Sequence, residues 1–366
     1  MIGLSRIQLY ILWRTLSALI VALLVIMAVE LLVDFVSVSR DVGARVDITP
    51  SEVLGLTLMK APSVLLVLLP FVFLFGTLGA FVGLNRRSEL IAMRAAGISA
   101  WRFIFPAAAA AFICGILAAT AFNPAASALN LRYEKTRAEL MKDYLATAPK
   151  EVWLRQGGAR GQTVIHARSK TDGENTVLHG VSVFFYTMDK QGVPQFDRRV
   201  EAREARLGTG GLILTDVNST RPGGFLEHSE RLVLPSTVRD ASGLLNIGSV
   251  EAISFWDLPG AIRRAEQAGL TSTAYQIQLQ QLLATPLLYS AMAVLAAAFS
   301  LRLFRLGGLA GLAGAGVALG FGVFFFNQLC GALGRSGVIP TYAAAWAPPI
   351  LALLSGLTLL CYTEDG

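Results

Sequence analysis

Residues able to do covalent chemistry are few in this sequence and poorly grouped. The three histidines, His166, His179 and His228, are scattered, with no metal-ligand spacing. The three cysteines, Cys114, Cys330 and Cys361, each sit in an apolar run, so no disulfide scaffold or structural zinc site is expected in the polar middle of the chain. There is no G-x-x-x-x-G-K-[ST] phosphate loop and no G-x-S-x-G nucleophile elbow. A chain that performs no catalysis, and that holds no metal or cofactor of its own, is the expectation.

Other groups carry charge or shape to places where they matter. Glu30 and Asp34 lie four apart within a long apolar run, on one helix face. An ionisable side chain inside a membrane span is costly and points to function by default. Asp34, near the end of the run, can reach water. For both, a cavity or partner contact and a packed or snorkelling side chain stay open. The stretch Asn85–Ser99, NRRSELIAMRAAGIS, lies between two apolar runs. Ser88 is expected to cap a helix of about two turns that begins at Glu89, and Gly97 to stop it. Transporters receive force from a separate ATPase through such helices; an interfacial helix anchored by arginines has the same signature. Arg132 and Lys135 could hold a phosphate or carboxylate by charge-assisted bonds, or belong to a solvated helix with Glu134, Arg137 and Glu139. Gly307, Gly311, Gly316 and Gly320 make two G-x-x-x-G pairs, which let membrane helices approach closely at a gate or within one subunit.

These residues need elements to position them, and composition says which. Of 366 residues 54% are hydrophobic and 15% charged, with mean hydropathy +0.57 and net charge +6. Ordinary soluble domains carry about 25% charged residues, so a wholly soluble or disordered chain is excluded. Residues 131–268 hold 36 of the 56 charges, in near balance. Two apolar blocks therefore flank one polar block. The small basic excess sits beside apolar runs, where it sets orientation, and is no sign of nucleic-acid binding.

Six runs reach the ~20 apolar residues that cross a bilayer: about Leu16–Val38, Ala61–Leu84, Phe103–Phe122, Ile277–Leu301, Leu306–Leu333 and Tyr342–Tyr362. The first is too long for a signal peptide and lacks its cleavage site. Arg6, Arg14, Arg86, Arg87, Arg94, Arg102, Arg302 and Arg305 fall on one side, the expected cytoplasm. Both termini then face the cytoplasm and the middle block faces the periplasm. The 37–60 loop is balanced, with Arg40, Arg45 and Lys60 against Asp41, Asp47 and Glu52. Pro286 is expected to kink its span; Pro348 and Pro349 should break the sixth or mark its start.

Residues 150–250 read as all-β. Turn signals at Asp172-Gly173, Asp189 to Gly192, Gly208 to Gly211 and Pro222 to Gly224 separate strand-like runs at Thr163–His166, Val177–Thr187, Gly211–Val217 and Arg231–Leu234. Val177, Val181, Val183 and Phe185 are expected on one face. Seven or more short strands in a sandwich or jelly-roll fit the length. Leu258–Ala268 should be an amphipathic helix. The expected fold is an α-helical membrane protein with six transmembrane helices and an inserted all-β, jellyroll-like periplasmic domain. Residues 1–123 hold spans one to three, with the short helix near 86–97; residues 124–275 form the β domain with flanking helices; residues 276–366 hold spans four to six.

The run RRSELIAMRAAGIS resembles the coupling-helix motif of the lipopolysaccharide export permeases, the LptF/LptG family, and the topology matches that family over the whole chain. The late segment FFFNQLCGALGRSGVIPTYAAAWAPPI is more similar to LptG than to LptF. The resemblance implies a multi-pass permease of the Gram-negative inner membrane that extracts lipopolysaccharide from the outer leaflet and passes it to a periplasmic bridge. It implies as partners an LptF-like permease, an LptB-like ATPase dimer that uses ATP and Mg, a single-span LptC-like protein and an LptA-like bridge. Glu89 would meet the ATPase, with Arg86, Arg87, Arg94 and Gly97 shaping the contact. Arg40 matches a basic lipid-contact position, whereas Asp34 and Asp41 stand where basic residues are usual. Glu30, Asp34 and Arg40, with Arg132 and Lys135, are the lipid-binding candidates; a lipid A with less phosphate, a metal-bridged headgroup or a shift of the role to other residues would fit. Arg132 and Lys135 match a basic pair with a one-residue insertion. Spans one and five, the latter with its glycines, would face the partner permease. An LptF-type subunit, and a permease-like protein that transmits force to a periplasmic hydrolase without transport, are the alternatives. A membrane-tethered enzyme is disfavoured by the missing catalytic cluster.

Overall fold

The computed structural model describes residues 6–141, 150–158, 161–172, 175–188, 194–208, 211–234, 252–267, 271–303 and 309–364. Among them six helical stretches are long and apolar enough to cross a membrane. The chain divides into two compact units: residues 1–135, 250–259 and 273–366 form one, and residues 136–249 and 260–272 the other.

The first unit is helical. It contains α1 (Arg6–Gly43), α2 (Pro50–Arg86), the short α3 (Glu89–Ala95), α4 (Ala100–Leu117), a π-helical turn (Ala118–Phe122), the first part of α5 (Asn123–Leu140), α7 (Thr273–Leu303), α8 (Leu309–Arg335) and α9 (Thr341–Glu364). The helices outrun the apolar runs that mark them in the sequence. The expected 37–60 loop shrinks to the six residues between α1 and α2. Thr49 and Glu52 form a capping box, each accepting from the other's backbone N–H, and Pro50 follows at the first helical position, so α2 starts about ten residues before its apolar run. At the far end of α1, Val38 and Val42 stay buried and carry the helix on to Gly43.

Helix α7 runs through the middle of this unit. Ala291, Ala293, Ala296, Ala297 and Ala298 are buried on all sides of the helix, and small side chains let neighbours come close. A Cβ at Gly115 would lie 2.4 Å from Pro286 Cα, and one at Gly356 3.1 Å from the Leu295 backbone N. Pro286 does not interrupt α7, and Pro348 and Pro349 neither break nor begin α9. Membrane helices tolerate an interior proline because neighbouring helices compensate the freed backbone groups. Trp346 Nε1–H donates to Gln280 Oε1 at 2.9 Å, tying α9 to α7 beside the two prolines. At the π turn, Trp256 Nε1–H donates to the Thr120 carbonyl, and the Phe255 N–H to Asn123 Oδ1.

The second unit is built on one antiparallel sheet. Its described strands are β1 (Lys150–Gly158), β2 (Gly161–Asp172), β3 (Asn175–Met188), β4 (Pro194–Gly208), β5 (Gly211–Thr220) and β6 (Glu227–Leu234), each paired with its neighbour in sequence. The described residues thus hold six strands, several of them long, where seven or more short ones are expected. Strand ends fall at the turn signals, although residues 173–174, 189–193 and 209–210 lie outside the described residues. Helix α6 (Leu258–Gln267) follows the sheet in the chain and begins in the first unit.

The core face changes phase partway along three adjacent strands. Val183, Val200 and Ile165 are paired and buried, as are Val181, Ala202 and Val217. Beyond them the next buried residues, Leu178, Ala205 and Leu214, are three positions away instead of two. Gly180 (φ +59°) and the non-glycine Asp216 (φ +58°) take left-handed conformations at this line, and β2 pairs with β3 through a bulge there. Leu178 therefore takes the core place expected for Val177, while Val181, Val183 and Phe185 keep theirs.

Candidate functional site

Helix α3 is held by its packing. Seven residues are too few for a helix to persist alone in water. Leu90, 2% exposed, enters a core cluster with Ile11, Phe81, Leu84 and Phe103, and Met93, one turn on, packs against the same cluster. Gly97 (φ +79°) ends the helix as expected. Its N–H donates to Arg94 O and the Ile98 N–H to Met93 O, a paired closure that needs the left-handed residue. Ser88 departs from expectation. It is left-handed (φ 57°) and its side chain makes no cap, because α2 and α3 are joined by Arg87 and Ser88 alone and the chain must turn between them. A capping side chain needs extended backbone there.

Opposite Leu90, α3 presents Ile91 (59% exposed), Ala92, Ala95 and Ala96 outward. Arg86, Arg87 and Gly97 are exposed, and Glu89 and Arg94 half-buried. Glu89 Oε2 accepts a 2.8 Å bond from the Tyr10 hydroxyl, which links α3 to the start of α1. The arrangement is a small apolar knob with a carboxylate and three arginines around it. The Tyr10 bond has no local sequence signal, and neither do the contacts of Leu90 with Ile11 and Phe103, since these partners come from other helices.

The acidic pair on α1 lies elsewhere in the same unit. Glu30 and Asp34 are each 7% exposed. Lys60 Nζ donates to Asp34 Oδ1, forming an ion pair. Lys60 thus belongs to α2 and pairs inward, where the sequence suggests a loop charge, and Asp34 does not simply reach water. Among the described residues, nothing donates a hydrogen bond to either Glu30 oxygen or to Asp34 Oδ2. Arg40, further along α1, is exposed.

Arg132 and Lys135 share one face of α5, both exposed and without an ion pair among the described residues. Gly307 lies outside the described residues, and Gly311 lies within α8. Gly316 and Gly320 pack inside the chain: a Cβ on them would meet Leu78 Cδ2 at 2.8 Å and Leu74 Cδ2 at 2.5 Å, both on α2. A cavity of about 290 Å³, largely apolar but with several polar side chains in its wall, escapes sequence reading. Asn123, Ser127, Gln278, Gln281, Asn327 and Arg335 line it, from α5, α7 and α8 of the helical unit. The Gln-rich start of α7 was the signal available for it. Among the described residues no three His, Cys, Asp or Glu side chains converge as a metal site. His228 Nδ1 is 2.9 Å from Asn218 Oδ1, and His179 lies 3.7 Å from Glu204.

Comparison with known families bears on all of this. Residues 9–362 match the model of the family described as lipopolysaccharide export system permease LptF/LptG. The chain belongs to the LptF/LptG family. Among curated proteins none matches it significantly. As an LptF/LptG permease it is a non-enzymatic, multi-pass subunit of a lipopolysaccharide-exporting ABC transporter in the bacterial inner membrane, and it works within a transport system of several proteins. The match does not separate the LptG branch from the LptF branch.

Proposed function

We propose that this permease is the LptG-type half of the exporter and that α3 is the element through which ATP hydrolysis reaches the membrane helices. The observation that carries this reading is the build of α3: a short helix fixed to the bundle by Leu90 and Met93, with Ile91, Ala92, Ala95 and Ala96 turned outward. A push on that outer face passes directly into the cluster that anchors α3, to which α1, α2, α4, α7 and α9 all contribute. Glu89, with Arg86, Arg87, Arg94 and Gly97, supplies the polar contact to an LptB-like ATPase dimer, which holds ATP and Mg. An LptF-like permease, an LptC-like protein and an LptA-like bridge complete the machine. The LptG assignment rests on the resemblance of FFFNQLCGALGRSGVIPTYAAAWAPPI.

The arginine-rich loops put both termini and α3 in the cytoplasm and the β unit in the periplasm. Lipopolysaccharide then enters from the outer leaflet. Arg40, Arg132 and Lys135 are exposed cations available to its anionic groups. The apolar face of the sheet is packed core here and would shelter acyl chains only on opening. Work is done by switching between two packed arrangements. The deciding experiment reconstitutes the transporter in vesicles and follows ATP-driven lipopolysaccharide release to an LptA-like acceptor. Glu89→Ala is expected to keep ATPase activity and lose release by about tenfold or more; unchanged release removes the coupling role.

A further inference from the structure

Beside Glu30 and Asp34 runs a groove of about 560 Å³ between α1 and α2. Val29, Val33, Val64, Leu68 and Phe71 give it apolar walls, and Glu30, Asp34 and Ser37 place polar groups along one edge. These polar positions fall at i, i+4 and i+7 of α1, one helix face. Val29 and Val33, at the rim, are exposed, so the groove is open on the side of α1 that this chain leaves uncovered.

The charges in the groove do not balance. Lys60 answers Asp34 through Oδ1 only, and none of the described residues that line the groove is a cation. Three carboxylate oxygens remain without a donor among the described residues, two of them on a glutamate that is nine-tenths buried. Carboxylates held away from water need a cation or hydrogen-bond donors. A phosphate brings no donor to these oxygens, whereas an ammonium brings positive charge and three N–H donors. The long apolar walls continue from the same spot, which suits an occupant whose cationic group is attached to a hydrocarbon body.

We infer that the α1–α2 groove is a subsite for an ammonium-bearing lipid headgroup, held by Glu30 with the free oxygen of Asp34, and that its occupant is an amine-carrying form of the exported lipid. The inference rests on the exporter reading for the identity of the lipid, and on the groove alone for the ammonium. Glu30 is the discriminating residue, since Asp34 is already engaged by Lys60. Arg132 and Lys135 lie on α5 and do not line the groove, so anionic and cationic groups of one headgroup have separate places to bind.

The test uses the whole transporter, purified from native membranes and placed in lipid nanodiscs, with a photo-crosslinking amino acid at Val33. Three probes are compared without ATP: lipopolysaccharide with ethanolamine-modified phosphates, the same preparation after amine acetylation, and phosphatidylethanolamine. Charge-assisted hydrogen bonds to one carboxylate support a preference of about tenfold. The expected result is about tenfold stronger crosslinking to the amine-bearing lipopolysaccharide than to its acetylated form. Glu30→Gln should reduce that preference to within about twofold, and Glu30→Asp, which keeps the charge, should retain most of it. Equal crosslinking of the two preparations overturns the subsite. So does crosslinking only to phosphatidylethanolamine or to the partner permease. Co-purification of the partner subunits with each variant shows that it has folded. ATP-driven release is measured separately: no release of either preparation sinks the exporter reading, while release with amine-blind crosslinking sinks only this inference.

Discussion

Truncating Leu90 to alanine tests whether α3 is held by its anchor. Leu90 is 2% exposed and sits among Ile11, Phe81, Leu84 and Phe103. Removing three carbons from such a site costs the transfer term plus the cavity left behind, about 2–5 kcal/mol. The helix has little else to hold it, because a seven-residue helix has almost no stability of its own. Most of the loss should therefore appear as local opening of α3. A loss of about 2.8 kcal/mol corresponds to a hundredfold change in an opening equilibrium. Hydrogen exchange of the Ala92–Gly97 amides, followed by mass spectrometry on the purified transporter, is expected to quicken by about that factor, while amides in the middle of α7 keep their protection. Ile91→Ala is the control. That side chain is 59% exposed and faces away from the anchor, so its exchange should match the parent even where coupling to the ATPase weakens. Unchanged exchange at 92–97 in Leu90→Ala would refute the anchoring argument, whatever happened to transport.

Two further outcomes probe the helical unit. Gly320→Leu drives a side chain toward Leu74 Cδ2, 2.5 Å from the first added carbon, and should cost about 1–3 kcal/mol in detergent stability; Gly322→Ala, which enters open space, should be nearly neutral. Lys60→Met leaves Asp34 buried and unpaired, at a cost of roughly 2–4 kcal/mol since nearly a third of the Lys60 side chain is exposed. Adding Asp34→Asn should recover most of that loss, and a thermal-unfolding double-mutant cycle showing simple additivity would mean that the pair does not interact.

The sequence carried a good deal of this, for reasons that are local. Gly97 could be read as the end of α3 because left-handed backbone selects glycine within a few residues of where the signal is written. The strand bounds at Asp172, Gly208 and Gly211 were legible because turn-forming residues sit at the strand ends themselves. Ser88 misled because its type suits a cap, but its backbone is set by the two-residue turn from α2. Val177 misled because alternation assumes an unbroken pleat, and the left-handed Gly180 shifts the phase by one. The role of Lys60 was hidden: its partner, Asp34, is 26 residues away on another helix.

By itself the sequence determined the six apolar spans, the polar block inserted after the third, the charge asymmetry of the loops and the short helix between spans two and three. Each follows from composition over a window, since crossing a bilayer or forming a strand depends on the hydrophobicity and period of neighbouring residues. Only the tertiary structure decided which side chains meet: Leu90 with the cluster of α1, α2, α4, α7 and α9, Tyr10 with Glu89, Lys60 with Asp34, Gly316 and Gly320 with α2, and the groove in which no described residue donates to Glu30. These pairings depend on how helices rotate and slide against one another. Packing over the whole bundle sets that, and no window of sequence contains it.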